Sequence, residues 1–342
     1  MTNPLKHWKL DPDTIGTTGT GLRRPECVLA EHTGDLWVAD LGGVLHIRPD
    51  GSQSLVRPKQ GGGPFAPENG LPNIDGNQGF SMPNGLCFDP HGDFVIANFG
   101  TNVIEHLARD GQWRLLHDRI DGQALGKTNF PAFDANGRLW VTVTASAGAW
   151  ARRTPASIEP DGHIILIDDS GPRVVMENVV GANEIRFDDD TGWVYVAETA
   201  ADHITRFRVT DDGKVCDREV YGPERLGGAP DGFAFDAHGN LWTTLIGRDR
   251  LVAITPEGDV LTLWEDGDPV ARAAAGPTAS LGKQPGDGLA PRMASITFGG
   301  PDLCTVYIGS LQGRTLPTFR SPVPGKPLAH WGRHWERMAG AR

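Results

Sequence analysis

Apolar and polar positions alternate in short runs along this chain, and the alternation restarts six times. Leu86/Phe88, Ile185/Phe187, Phe233/Phe235 and Ile296/Phe298 fall at the same two positions of a recurring frame. Period-two burial of this kind marks a strand with one packed face. No helical period is sustained for three turns. Each unit reads as a short strand, a Gly-containing turn, a second short strand, and then a hairpin. The hairpin signals are Asp50-Gly51, Asp110-Gly111, Asp212-Gly213 and Glu257-Gly258, with Asp161-Gly162 placed differently inside the third unit. Asp-Gly between apolar runs predicts a tight turn that matches strand twist.

Polar landmarks define the frame. Its first position holds Glu26, Asn84, Asn129, Asn183 and Asp231, and the sixth copy has Ala294. Five residues later an acid opens the Gly turn: Glu31, Asp89, Asp134, Asp188 and Asp236. Further on come Trp37, Val95, Trp140, Tyr195, Trp242 and Tyr307. The landmarks are spaced 58, 45, 54, 48 and 63 residues apart, the scale of a propeller blade with insertions. The predicted fold is therefore all-β: a six-bladed β-propeller with four antiparallel strands per blade around a central channel. Residues 1–24 read as an N-terminal extension and 25–331 as one domain, with 332–342 as a tail. Blades are expected to start near 25, 83, 128, 182, 230 and 293. Either a strand from Leu5–Ile15 or the segment Lys326–Trp331 would close the ring.

Composition narrows the partners. The chain has 342 residues, a net charge of −11 and no Lys/Arg stripe, which argues against nucleic acid and anionic membranes. No segment approaches the length of a membrane span and the first residues lack an apolar signal core, so a cytoplasmic location is expected. Cys27, Cys87, Cys216 and Cys304 are widely separated, without a CxxC, and read as free thiols. No GxSxG elbow supports nucleophilic serine chemistry, and Gly61-Gly62-Gly63 lacks the Lys of a phosphate loop.

In a closed repeating fold, equivalent positions converge on one axis. Five oxygen donors should then meet at one mouth of the channel. A ring of carboxylate and amide oxygens without His or Cys suits a hard divalent cation. Glu26 and Asp231 are the only carboxylates of that ring, and uncompensated buried carboxylates repel each other and are costly to desolvate. A cation removes that cost. With open coordination positions it could polarise a carbonyl and acidify a bound water, and a neighbouring carboxylate could act as general base. Three insertions are expected on the donor face as a rim or lid: Pro58 to Ser81, Ala145 to Pro160 with Trp150, Arg152 and Arg153, and Asp268 to Arg292. The second-strand ends bring Asp40, Asn98, Glu198 and Ser310 near the mouth, either supporting the donors or solvated.

Several segments resemble the SMP-30/gluconolactonase/luciferin-regenerating-enzyme family, in its bacterial form. They are Arg24-Pro25-Glu26-Cys27-Val28, Gly181-Ala182-Asn183-Glu184-Ile185-Arg186-Phe187 and Ala229-Pro230-Asp231-Gly232-Phe233, with Lys127-Thr128-Asn129 leading into Asp134 to Trp140. The C-terminal run from Gly309 to His330-Trp331 also looks like that of bacterial members. The resemblance implies a six-bladed propeller with one divalent cation in its channel and, in many members, hydrolysis of sugar lactones. Carried over by position, it implies Glu26, Asn183 and Asp231 as metal ligands, with Asp231 also the catalytic base. Asn129 matches a residue that contacts metal or substrate, and Lys127 stands where sugar lactonases often have a substrate-binding arginine. Asn84 adds a donor that makes the ring similar also to calcium-dependent paraoxonase-type lactonases. Phe130 departs from the pattern, where Asp is frequent. An apolar wall does not select a hydroxyl as a hydrogen-bonding site does, so Phe130, with Trp150 on a lid, suggests a more apolar lactone or ester.

The substrate-binding candidates are thus Asn84, Asn129, Lys127, Phe130, Trp150 and Glu198. The implied cofactor is one divalent ion, Ca²⁺ or Zn²⁺ ahead of Mg²⁺, Mn²⁺ or Fe²⁺, and the implied partner a small lactone or ester. Alternative readings keep the metal but change the reaction to an isomerase or lyase on a carbonyl substrate, or make the propeller a non-catalytic binding scaffold.

Overall fold

Two turns set the register of each unit. Between first and second strands, Asp89 donates its N–H to Asp93 O at 2.8 Å and Gly92 donates to Asp89 O at 2.9 Å, with Gly92 at φ 83°. The Asp-Gly hairpins close in the same way. Arg48 N–H reaches Ser52 O at 2.9 Å, Gly51 N–H reaches Arg48 O at 2.8 Å, and Gly51 has φ 82°. These are three-residue loops with a left-handed Gly rather than two-residue turns, and they match strand twist equally well.

The computed structural model describes residues 3–64, 79–152, 159–267, 270 and 288–331. It contains six four-stranded antiparallel sheets, five of them from consecutive strands, the blades of an all-β propeller. Their innermost strands are Val28–Ala30, Pro83–Phe88, Thr128–Phe133, Ala182–Asp188, Pro230–Phe235 and Met293–Gly299. A small hairpin, Arg119–Ile120 with Gln123–Ala124, joins blades two and three. The sixth blade takes its outer strand from the other end of the chain: Gly16–Thr18 pairs with Leu316–Arg320. Ring closure therefore falls just beyond the expected Leu5–Ile15 segment, which instead packs Leu5 and Leu10 into the core beside Trp242. Lys326–Trp331 is not a strand; it crosses the far end of the channel. The central parts of all three insertions, including Arg153, and the tail 332–342 lie outside the described residues.

The second strands of blades one, two, three and five are buried along their whole length. Their aromatic landmarks pack between blades, and each indole finds an acid. Trp37, Trp140 and Trp242 Nε1 donate to Glu31 Oε2 at 2.6 Å, Asp134 Oδ2 at 2.9 Å and Asp236 Oδ2 at 2.9 Å. The other oxygen of Asp236 accepts from His238 and Asn240 N–H. The second landmark of the frame is thus a turn and clamp that fixes the end of the channel opposite the donors. Among the described residues no helix is long and apolar enough to cross a membrane.

Candidate metal centre at the channel mouth

At its donor position the inner strand carries a bulge. The pairing register shifts between Pro83 and Leu86, Thr128 and Phe130, Ala182 and Ile185, Pro230 and Phe233, and Met293 and Ser295. A bulge re-aims the extra residue; here it frees Asn84, Asn129, Asn183 and Asp231 from strict alternation. Two residues before the donor, the backbone is left-handed in four blades: Arg24 (φ 61°), Gly181 (71°), Ala229 (61°) and Arg292 (59°). For the three non-glycine residues this conformation costs about 1–2 kcal/mol each, so the bend is held by its surroundings.

Those surroundings include the second-strand ends. Asp40 Oδ2 accepts from Arg23 N–H at 2.6 Å, Asn98 Oδ1 from Met82 N–H at 2.8 Å, and Glu198 Oε2 from Val180 N–H at 2.8 Å. Each clamps the backbone two or three residues before a donor. In blades five and six Asp202 and Asp249 do the same for Gly228-Ala229 and Arg292-Met293. Asp40, Asn98, Glu198 and Ser310 are all buried, and act as supports rather than solvated groups. Glu198 corrects the expectation of substrate binding. Burial pushes its pKa up, but hydrogen bonds from His203, Thr205, Val180 and Arg218 outweigh it and bring the carboxyl down to about 2. Its oxygens are already occupied.

The donors themselves are brought together at one end of the channel. Asn84 Nδ2 donates to Glu26 Oε1 at 2.9 Å and lies 3.3 Å from Asn129 Oδ1. Asn129 and Asn183 anchor their Nδ2 groups on Thr144 Oγ1 (2.9 Å) and Thr199 Oγ1 (3.1 Å). Those hydroxyls, and that of Thr244, donate onward to Ala182 O, Pro230 O and Ala294 O of the next blade. Anchoring each amide nitrogen turns the oxygen away from the hydroxyl, and that of Asn129 accepts from Asn84 Nδ2 at 3.3 Å. Asn84 is the exception. Its Oδ1 accepts from Arg24 Nη2 at 2.6 Å, so it offers N–H, not oxygen, to its neighbours. The expected ring of five oxygen donors is therefore four.

Burial raises the pKa of Asp231, and the charges of Glu26 and Glu184 raise it further. Burial likewise pushes Glu26 up to about 7, with Arg24 opposing and Glu184 adding to the rise. Glu26 Oε2 is buried and has no hydrogen-bond partner among the described residues. A bare buried carboxylate oxygen facing further carboxylates is what a divalent cation would relieve, so the residues present fit such an ion. A second cluster, Asp89, Asp93 and His106, does not need one: Asp89 Oδ1 accepts from His91 and Asp93 N–H, and Oδ2 pairs with His106 at 3.0 Å.

Beneath the donors lies a layer formed by the next residue of each blade: Phe130 and Glu184 in blades three and four are large, and the blades on either side of them carry Gly85 and Gly232. A Cβ on Gly85 would sit 2.6 Å from Phe130 Cδ2, and one on Gly232 would sit 2.8 Å from Glu184 Oε2. Gly85 thus makes room for Phe130, and Gly232 for Glu184. Glu184, with its carboxyl raised by burial to about 7, takes Arg186 Nε at 2.5 Å, and the Arg186 guanidinium stacks over the Phe130 ring at 5.0 Å. Phe130 is buried in the core and lines a cavity of about 310 Å³ at the opposite end, closed by Lys326 to His330. It is not a wall of the mouth, and the inference of an apolar substrate drawn from it is withdrawn.

Lys127 and Trp150 do lie on the donor side. Lys127 Nζ donates to Phe99 O at 3.1 Å and sits 5.2 Å from the Phe99 ring. Trp150, on the short helix Ala147–Arg152, meets Phe99 edge-on at 5.1 Å and packs on Leu41 and Met82. Across the mouth, Ala294 packs with Ile246 and Leu311, so the blade that lacks a polar donor supplies an apolar wall.

The comparisons agree with the propeller. The family model for the SMP-30/gluconolactonase/LRE-like region matches residues 73–275, and the chain belongs to that family. It is 27% identical over 230 residues to 6-deoxy-6-sulfogluconolactonase of Pseudomonas putida, covering 66% of this chain and 68% of that one. It is also 27% identical over 238 residues to pentonolactonase XacC of Haloferax volcanii, covering 66% and 73%. Among solved structures it shares its fold with regucalcin of Agrobacterium tumefaciens, a calcium-binding protein, at TM-score 0.63 and 14% identity over 91% of this chain and 94% of the other.

Proposed function

We propose that the protein is a divalent-metal-dependent lactonase. The observation that carries this is the buried pair Glu26 and Asp231, with Glu26 Oε2 bare, in a chain whose relatives open sugar lactones. Glu26, Asn183 and Asp231 would hold the ion, which when bound supplies Lewis-acid polarisation of the lactone carbonyl. Asp231 takes a proton from water as the water oxygen attacks the carbonyl carbon. The ring C–O bond then breaks, and Asp231 returns the proton to the departing alkoxide. Asn129 and Lys127 contact the substrate's polar groups, and Trp150 covers its apolar side.

The test is a panel of lactones given to purified protein before and after chelation and with each divalent ion restored. Ring opening should stop on chelation and return with the ion. Activity indifferent to chelation would remove the metal from the reaction, and an inert panel would remove the lactonase reading. Phe130, which lies in the core, gives no support to an isomerase or lyase reaction over hydrolysis.

A further inference from the structure

The orientation of Asn84 is set by a residue that the sequence pattern left without a role. Arg24 is buried, only 5% exposed, and its guanidinium spans two acceptors of the next blade: Nη1 to Pro83 O at 3.2 Å and Nη2 to Asn84 Oδ1 at 2.6 Å. A guanidinium can only donate. It therefore fixes the Asn84 oxygen toward itself and turns Nδ2 inward, onto Glu26 Oε1 at 2.9 Å and Asn129 O at 3.2 Å. One oxygen of Glu26 is held and the other left bare. The order Arg24, Asn84, Glu26 runs between two blades and back.

We infer that Arg24 is a positioning residue: through Asn84 it fixes the Glu26 carboxylate so that Oε2 is presented to a divalent ion. This rests on the metal-site reading above. Groups that orient metal ligands typically change affinity about 10- to 100-fold when removed. Two effects of Arg24 oppose each other here. Its charge, close to a cation site, weakens binding of a second cation; its fork, by orienting Asn84 and so Glu26, strengthens it. Lys keeps the charge and loses the fork, which separates the two.

The experiment is calorimetric titration of Ca²⁺ and of Zn²⁺ into chelator-stripped native protein, Arg24→Lys, Asn84→Leu and the double variant, with thermal melting of each stripped protein to confirm folding. Arg24→Lys and Asn84→Leu should each weaken ion binding about 10- to 100-fold, and the double variant no further than the weaker single, because both break one relay. Should Arg24→Lys fail to fold, Asn84→Leu, which leaves the left-handed bend at Arg24 intact, carries the test alone. Arg24→Lys with native affinity, Asn84→Leu with native affinity, or fully additive losses would overturn the inference while leaving the metal site standing. Native protein that takes up no ion would overturn both.

Discussion

The two ends of the channel are built from the same six strands, yet they treat charge in opposite ways. At the far end every acid of the repeat that faces an indole is satisfied: Asp236, fully buried, accepts from Trp242, Asn240 and two backbone N–H groups. At the mouth, Glu26 and Asp231 are also buried, but Glu26 Oε2 has no partner among the described residues and both carboxyls are pushed upward. A satisfied buried acid stabilises a fold, whereas one left bare costs stability until something binds it. The far end holds the blades together, and the unsatisfied acids at the mouth are what the proposed ion would relieve.

The largest contrast should come from one acid at each end. Asp231→Asn should lower lactone opening by about 10²- to 10⁴-fold with melting temperature preserved or raised. Asp236→Ala should instead destabilise by about 2–5 kcal/mol, through the stranded indole and amide donors, and leave kcat of the folded fraction unchanged. Melting curves and initial rates on the two variants decide this. If both lose activity while keeping stability, the division between the ends is wrong.

The pH dependence of the stripped protein should come next. Glu26 and Glu184 are raised from 4.5 to about 7 when folded, so their contribution is fully present below their unfolded pKa and lost as pH rises through about 7. Ion-stripped protein should therefore melt at progressively lower temperature across that window, and adding the ion should flatten the profile. Glu198 has the opposite sign. Held down to about 2, it contributes stability above its unfolded pKa that is lost as pH falls toward 2. A Glu198→Gln variant should thus lose stability at neutral pH rather than substrate affinity. The smallest effect is expected at the rim: Trp150→Ala should raise KM severalfold with kcat little changed, as loss of an apolar wall removes uniform binding.

The propeller was legible because its signals are local and repeated: alternation in each inner strand, and an acid-to-Gly turn after it. The convergence of Glu26, Asn129, Asn183 and Asp231 followed from the repeat. What escaped lies in atoms rather than spacing. Asn84 shares the frame of the ligands, but which end of an amide faces inward depends on Arg24, a partner in another blade. Phe130 read as a substrate wall because it stands where the family resemblance leads one to expect Asp beside Asn129. The bulge at that point and the empty space over Gly85 send its ring to the layer below. Glu184 stood unremarked beside Asn183 because nothing in one strand says that Gly232 of the next blade leaves room for it. Thr144 and Thr199, which link blades three to four and four to five, occupy the same position of the second-strand ends and could have been found by aligning them; Thr244, two residues earlier in that alignment, could not.

A cation shared between distant blades is the proposed centre of the molecule's chemistry. Elemental analysis with calorimetric titration, on native protein and on the Glu26→Gln/Asp231→Asn double variant, measures it directly. One divalent ion per native chain, and binding abolished in the folded double variant, is the predicted result. Equal stoichiometry and affinity in both proteins, or no ion in either, would contradict it.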